Sequence, residues 1–309
     1  MSGCLFSKTR IQPMQKLIPV LDSCSLSDRK EDKLLVDHFA EYLKKHNSLV
    51  FPHRHNFYHL VLFTSGGGKH TIDFNQFEVK PWQMYFMTPG QVHTWAFDDD
   101  VDGYVMNFSK DFFQSLLLRT DFLDSFSFFG GQPDEGVIEL PEAIRQEALV
   151  LFEKLYLKVA SGQAIQWDAV RITLLYLLVL VDQNAVIQKK NSIPVYNYTI
   201  LRNFQNLIEK HYSTVRLPKD YADLLYITPN HLNALCKEYL GMQAGEVIRN
   251  RVLLEAKRLL VSQDMSISEI AYELNFNDNS YFTKFFKKLV GVTPEEFKKK
   301  IIKVNSDPF

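Results

Sequence analysis

The chain has 309 residues, a formal net charge of −1, and 46% hydrophobic against 23% charged residues. That balance excludes an intrinsically disordered chain and a uniformly basic nucleic-acid binder, and the length allows two domains of ordinary size. The charge is uneven, however. Residues 199–303 hold 16 Lys and Arg against 12 Asp and Glu, so positive charge gathers at the end that would neutralise phosphates.

Residues 1–30 read as a loosely ordered lead. Residues 33–45 carry Leu34, Leu35, Phe39 and Leu43 at helical spacing. The pattern then changes to short apolar segments between turns. A strand is expected at 58–64, followed by the turn Gly66-Gly67-Gly68. Thr71, Ile72 and Phe74 begin a second strand, and Phe77 and Val79 a third. Further strands are expected at 84–87 after Pro81, and at 92–97 and 104–108 after Pro89-Gly90. Short strands at such intervals predict a small β-barrel or sandwich.

From Asp111 the pattern is helical or irregular, with a loop at 126–131 and Pro133. Residues 141–159 repeat Ile144, Ala148, Leu151 and Leu155, an amphipathic helix. Residues 165–182 are apolar nearly all round, which predicts a buried helix. Residues 188–197, with Lys189, Lys190, Ser192 and Pro194, read as an interdomain linker. Residues 198–212 read as the first helix of a C-terminal domain.

Two similar units follow, about fifty residues apart. In the first, a short helix at 220–226 precedes Thr228-Pro229, a cap and a helix start. Leu232, Leu235, Cys236 and Tyr239 form its inner face, and Gly241 ends it. Asn230, His231, Asn233 and Lys237 are expected to point outward. In the second, Ser266 and Glu269 have capping-box spacing before a helix carrying Ile267, Ile270, Ala271 and Leu274. Asn275 suits a left-handed turn, and Asp278 caps the next helix. There Phe282, Phe285, Phe286 and Leu289 face inward, while Asn279, Ser280, Thr283 and Lys284 face out. Between the units, 244–261 is one helix with Arg249, Arg251, Lys257 and Arg258 expected on its outer faces. Such a helix spans about 27 Å at 1.5 Å per residue. That length can set two recognition helices one DNA turn, about 34 Å, apart.

Four histidines form the constellation able to carry chemistry. His53 and His55 lie two apart, so on a strand they face the same side. His59 is in phase on a regular strand, and His93 follows Pro89-Gly90. Imidazoles suit Zn, Cu, Fe or Ni. A small-molecule pocket without metal, a structural cluster and a divalent metal site all stay open. The first is favoured, because no carboxylate accompanies the histidines. Trp95 and Trp82 either line such a pocket or, the favoured reading, pack the barrel. His70 reads as an exposed polar strand residue. No P-loop, dinucleotide glycine fingerprint, nucleophile elbow or CxxC pair is present.

Cys4, Cys24 and Cys236 form no even framework, so reduced thiols are expected. The start of the chain lacks a signal-peptide layout. The longest apolar run, 172–181, is half the length of a membrane span. A cytoplasmic protein without membrane contact is expected.

Several spaced motifs carry a resemblance. Arg251-x-x-x-Glu255-Ala-Lys-Arg-Leu-Leu260, Ser268-Glu-Ile-Ala271, Ser280-Tyr-Phe282-x-x-Phe285-Phe-Lys287 and Gly291-x-Thr-Pro294 resemble the DNA-binding domain of AraC-family transcription regulators. The resemblance covers about 199–302. It departs at Asn275, where the family most often has Gly, and at Ala234, where many members carry a longer polar side chain. It implies base-facing positions at Asn230, Asn233 and Ala234 and at Asn279, Ser280, Thr283 and Lys284. Pro52-His53-Arg-His55 with Gly66, then Pro89-Gly90-x-x-His93, is similar to the cupin barrel attached to many such regulators, with His59 where the usual metal-binding Glu stands.

The expected fold is therefore multidomain α+β. A cupin-like sensor barrel at about 50–110 with helices at about 111–187 makes a first domain over 1–187. A linker follows at 188–197, then an all-α double helix-turn-helix domain at 198–303. The expected function is sequence-specific DNA binding by an effector-responsive transcription activator. The alternative is a metal-dependent cupin enzyme with a helical interaction tail. Base and phosphate contacts are expected from Asn230, His231, Asn233, Ala234, Lys237, Asn279, Ser280, Thr283, Lys284, Lys287 and Lys288. An effector pocket is expected at His53, His55, His59, His93 and Trp95. No catalytic residue and no cofactor is expected, a divalent metal at the histidines being the disfavoured option. The resemblance implies a homodimer, a small-molecule effector and contact with RNA polymerase.

Overall fold

A computed structural model describes residues 19–21, 34–46, 52–98, 100–109, 111–117, 122–131, 133–160, 167–190, 194–262 and 265–306. Apart from 19–21, the expected N-terminal lead, with Cys4 and Cys24, lies outside the described residues.

Among the described residues, the N-terminal half contains two five-stranded sheets. The first has the order β1 (Val20–Leu21), β3 (His53–His55), β8 (Val92–Phe97), β5 (Gly68–Ile72), β6 (Asn75–Val79). The second has the order β10 (Val137–Glu139), β7 (Gln83–Met87), β4 (Tyr58–Ser65), β9 (Asp102–Phe108), β2 (Leu34–His38). Side chains of both sheets share one core that includes Phe63, Tyr85 and Val105 with Ile72 and Trp95. The opposite face of the second sheet buries Leu60, Leu62, Phe86 and Met106 against helices α2 (Glu142–Ala160) and α3 (Trp167–Lys190). Burial on both faces explains why β4 is apolar without alternation.

Four expectations need correction here. Leu34 and Leu35 lie in β2, not in a helix. All five β2 residues pair with β9, and Leu34 and Val36 alternate into the core, so the helix α1 (Phe39–Lys45) starts only at Phe39. Phe74 lies outside the strand. Ile72 pairs with Asn75, leaving Asp73 (φ 48°) and Phe74 (φ 77°) as a two-residue hairpin turn. Helix α3 is not buried all round, since Ile172 and Tyr176 are exposed while Leu174, Leu177, Leu178 and Val181 pack on the sheet. Finally, α3 runs through Lys190 and helix α4 (Val195–His211) begins before Tyr198, so helix occupies both ends of the expected linker; residues 191–193 lie outside the described set. The strands β1 and β10, too short to show a period, were not expected.

The C-terminal half is helical: α4, α5 (Pro218–Leu224), α6 (Pro229–Leu240), α7 (Ala244–Ser262), α8 (Ile267–Glu273), α9 (Asn279–Val290) and α10 (Pro294–Ser306). It holds two cores. Ala244 and Ile248 of α7 join the first with α4, α5 and α6. Val252, Ala256, Leu259 and Leu260 join the second with α8 and α9. One long helix thus fixes both units. A smaller contact, Val92 with Val261 flanked by Phe74, Phe297 and Ile301, joins the two halves of the chain.

Candidate nucleic-acid interface and histidine cluster

Each of the expected recognition helices is framed by local chemistry. Thr228 caps α6, its hydroxyl accepting from the His231 amide at 3.2 Å, and Gly241 (φ 72°) closes it. Asp278 caps α9, its carboxylate accepting from the Tyr281 amide at 2.7 Å, and Gly291 (φ 88°) closes it. The preceding helix α8 starts on a complete capping box: Ser266 accepts from the Glu269 amide, and Glu269 accepts from the Ser266 amide. Those bonds hold the Glu269 carboxyl below its ordinary range. The chain turns through left-handed residues before both helices, at Tyr226 (φ 55°) and Asn275 (φ 56°).

On α6, Asn230, His231, Ala234 and Lys237 are exposed, as are Asn279, Ser280, Lys284, Lys287 and Lys288 on α9. Thr283 is half-buried, with its hydroxyl 3.4 Å from Asn279 Oδ1. Asn233 departs from the expected outward placement. Its Oδ1 accepts from the Ala244 amide at 3.1 Å, so it ties α6 to the first turn of α7. Exposed Tyr226, Tyr272 and Tyr281 belong to the same two units. Sequence reasoning passed over them, although Tyr281 adjoins the outward Ser280.

Two arginines expected on outer faces of α7 are buried. Arg251 donates from Nε to Glu209 of α4 at 2.8 Å and stacks over the Tyr212 ring. Arg258 donates from Nε to Asp73 Oδ1 at 2.8 Å, and Glu255 accepts from both arginines. Burial opposes the Arg258 charge, but Asp73 and Glu255 more than offset it and its pKa is raised. Helical spacing cannot see these arginines as inward, because Glu209 and Asp73, which face them, lie on other elements.

In the sheet domain, strand pairing gathers the histidines. His53 pairs with His93, and His59 pairs with Asn107 on the facing sheet. His53, His55, His59 and His93 are 2%, 3%, 2% and 1% exposed. One ring nitrogen from each of His53, His55 and His93 lies within 4.8 Å of the others. Nε2 of His93 is 3.2 Å from Nε2 of His55, and Nδ1 of His93 is 3.1 Å from Nε2 of His70. His59 Nδ1 contacts Asn107 Oδ1 at 2.5 Å, and Asn107 donates to the Tyr42 hydroxyl. Nε2 of His59 is buried and has no hydrogen-bond partner among the described residues.

His70 was expected to be exposed and is fully buried, stacked on Trp95 at 3.3 Å between centroids. The signal was available: His70 lies two before inward Ile72 on the same strand. Trp95 is 5% exposed and packs among Phe39, Phe63 and Phe97. Trp82 lies outside that core, at φ 67° with Arg145 over its ring. Burial pushes the His59 pKa down to about 3 and those of His55, His70 and His93 well below the ordinary value, helped by mutual repulsion. Burial therefore favours the neutral imidazole at His55, His59, His70 and His93.

Residues 221–300 match the family described as "Helix-turn-helix domain", and residues 35–179 match "AraC-like ligand binding domain". YesN of Bacillus subtilis, described as an uncharacterized transcriptional regulatory protein, is 41% identical over 81 residues, 25% of this chain and 22% of YesN. The regulatory protein PocR of Salmonella typhimurium is 33% identical over 101 residues, 33% of each chain. The chain therefore spans about a fifth and a third of the lengths of these two relatives. The transcriptional activator RhaS of Escherichia fergusonii is 23% identical over 261 residues, 81% of this chain and 88% of RhaS.

Proposed function

We propose, from the premise that this chain joins an AraC-like ligand binding domain to a helix-turn-helix domain, that it is a sequence-specific DNA-binding transcription regulator. It acts as an activator that responds to an effector held by the N-terminal domain. The supporting observation is the placement of α6 and α9 at the two ends of α7. Both are capped at a start that exposes polar residues, Asn230 and His231 on one and Asn279 and Ser280 on the other. The 19 residues of α7 span about 28 Å. Two adjacent major-groove segments on one face of DNA lie about 34 Å apart.

In this reading Lys237, Lys284, Lys287 and Lys288 neutralise phosphates, while Asn230, Asn279 and Ser280 read base edges. The helix pair α2 and α3, with exposed Val150, Leu157, Ile172 and Tyr176, supplies a homodimer face. Contact with RNA polymerase follows from the activator role. The reading assigns no catalysis, because His53, His55 and His93 are enclosed too fully for a substrate to reach them. A cytoplasmic location is part of the same proposal.

Selection of the purified protein against randomised duplex DNA tests it. The expected winner has two segments about ten base pairs apart. Equal affinity for every duplex would reject sequence-specific regulation.

A further inference from the structure

We propose that the effector is a divalent transition-metal ion bound by His53, His55 and His93, with His59 beside it as a fourth imidazole. This rests on the regulator reading and names what its N-terminal domain senses. The argument begins with size. The rings that surround the histidines, among them Phe39, Tyr42, Phe57, Tyr85 and Trp95, are themselves at most 5% exposed. A metabolite would have to displace this packing, whereas an ion needs only lone pairs.

The lone pairs are arranged for one. Two nitrogens bound to a single tetrahedral ion at about 2.05 Å stand about 3.3 Å apart. Nε2 of His93 and Nε2 of His55 stand 3.2 Å apart. The ring centroids of His53, His55 and His93 are 4.2 to 4.9 Å from one another. The His59 centroid is 4.8 Å from His55 and 5.5 Å from His93.

The outer partners also fit. Metal-bound imidazoles usually donate their second N–H to a fixed acceptor. Asn107 Oδ1 accepts from His59 Nδ1, which leaves Nε2 as a bare lone pair, the buried nitrogen without a partner among the described residues. His70 Nε2 can accept from His93 Nδ1, freeing His93 Nε2 for the ion. The exchange of tautomers at His70 and His93 moves protons between ring nitrogens and loses none. Neutral imidazoles without a carboxylate select Zn, Cu, Ni or Fe over Mg or Ca.

The site adjoins the contact between the two halves of the chain. His93 pairs with Ile72, and the next residues along, Val92 and Asp73, bond each other twice: Asp73 N to Val92 O at 2.8 Å, and Val92 N to Asp73 Oδ1 at 3.1 Å. The Asp73 carboxylate also holds Arg258 of α7. Movement of His93 onto an ion therefore reaches the helix that spaces the two recognition helices through the Asp73–Arg258 pair, beside the Val92–Val261 contact.

The test uses full-length protein stripped by chelator, then titrated with Co(II) and Zn(II). The expected result is one ion per chain, a visible Co(II) absorption band of low-symmetry nitrogen ligation, and a melting temperature that rises with free metal. Asn107→Ala, which leaves every ligand in place, is expected to weaken binding about 10- to 100-fold. His55→Ala is expected to abolish it. Affinity for the selected DNA is expected to differ at least about fivefold between the metal-free and metal-bound protein. The neutral double variant Asp73→Asn/Arg258→Met is expected to bind metal normally while the response of its DNA affinity is sharply reduced. Absence of stoichiometric metal in folded wild-type protein overturns the proposal, and so does metal binding without any effect on DNA. Failure to select any DNA in either state overturns the regulator reading, and with it the sensing role. The metal titration is read separately from it.

Discussion

Arg258 on α7 and Asp73 in the β5–β6 turn form a buried ion pair across 185 residues of sequence, with Nε 2.8 Å from Oδ1. Neither side chain is more than 4% exposed. Asp73 also accepts from Gln91 Nε2 and the Val92 amide, so its turn is held with the helix. Removing one partner of a buried pair leaves an uncompensated charge and costs about 3–5 kcal/mol, whereas replacing both by neutral isosteres costs far less. Arg258→Met is therefore expected to lower stability by about 3 kcal/mol. Adding Asp73→Asn is expected to recover most of that loss. Urea denaturation of the single and double variants measures both. Equal losses in the two would show that the charges are not coupled.

The exposed faces of α6 and α9 separate two kinds of DNA contact. Lys284→Ala is expected to weaken binding to all duplexes about equally and to lower the salt slope by about 1. Asn279→Ala and Ser280→Ala are expected to cost about 1–3 kcal/mol on the selected site and little on other DNA. Asn233→Ala should behave differently, because its carbonyl caps the Ala244 amide. Its loss is expected in stability, about 1 kcal/mol, with no change in base preference. Binding isotherms across a salt series, on selected and scrambled duplexes, distinguish the three. A specificity change for Asn233→Ala would return that residue to the reading face.

The helix-turn-helix units were legible because their signals are local. The Ser266–Glu269 box, the Asp278 and Thr228 caps, and the left-handed Asn275, Gly241 and Gly291 depend on neighbours within a few positions. What failed to show depends on distant partners. Arg258 reads as outward on a wheel because Asp73 lies in another domain. Leu34 and Leu35 read as helix because β9 is seventy residues away. The histidines were legible as a group through the alternation of β3 and the turn before His93, but not their closure. The rings of Phe39 and Tyr42 on α1 and of Trp95 on β8, which fill the space around them, come from two separate elements.

Cys236 packs in the core of the first unit with no exposure, and burial pushes its thiol up to about 12. Because the thiolate is the reactive form, a protein carrying Cys4→Ser and Cys24→Ser is expected to resist an aromatic disulfide reagent at pH 8. Full reaction is expected once denaturant is added. Rapid stoichiometric labelling of the native protein would mean that α6 opens readily from α4 and α5. Cys236→Ala is expected to cost about 1–2 kcal/mol, the loss of a small buried group, and to leave the selected DNA sequence unchanged.

The two turns before the recognition helices solve one backbone problem with different residues. Asn275 and Tyr226 hold nearly the same left-handed φ, 56° and 55°. Asn tolerates this region through its short polar side chain, while most other residues pay about 1–2 kcal/mol there. Tyr226 is 96% exposed, so packing does not compensate it. Glycine removes the strain but adds about 0.5–1 kcal/mol of chain entropy to lose on folding. Tyr226→Gly is therefore expected to stabilise the protein by about 0.5–1 kcal/mol, and Asn275→Gly to change it by a few tenths. Thermal melts of the two variants decide the comparison. Were Tyr226→Gly destabilising, the exposed ring would have to make a contact within the folded chain that its 96% exposure does not allow. Were stability to rise while affinity for the selected DNA fell, the cost of holding Tyr226 in this turn would be balanced by a contact with DNA.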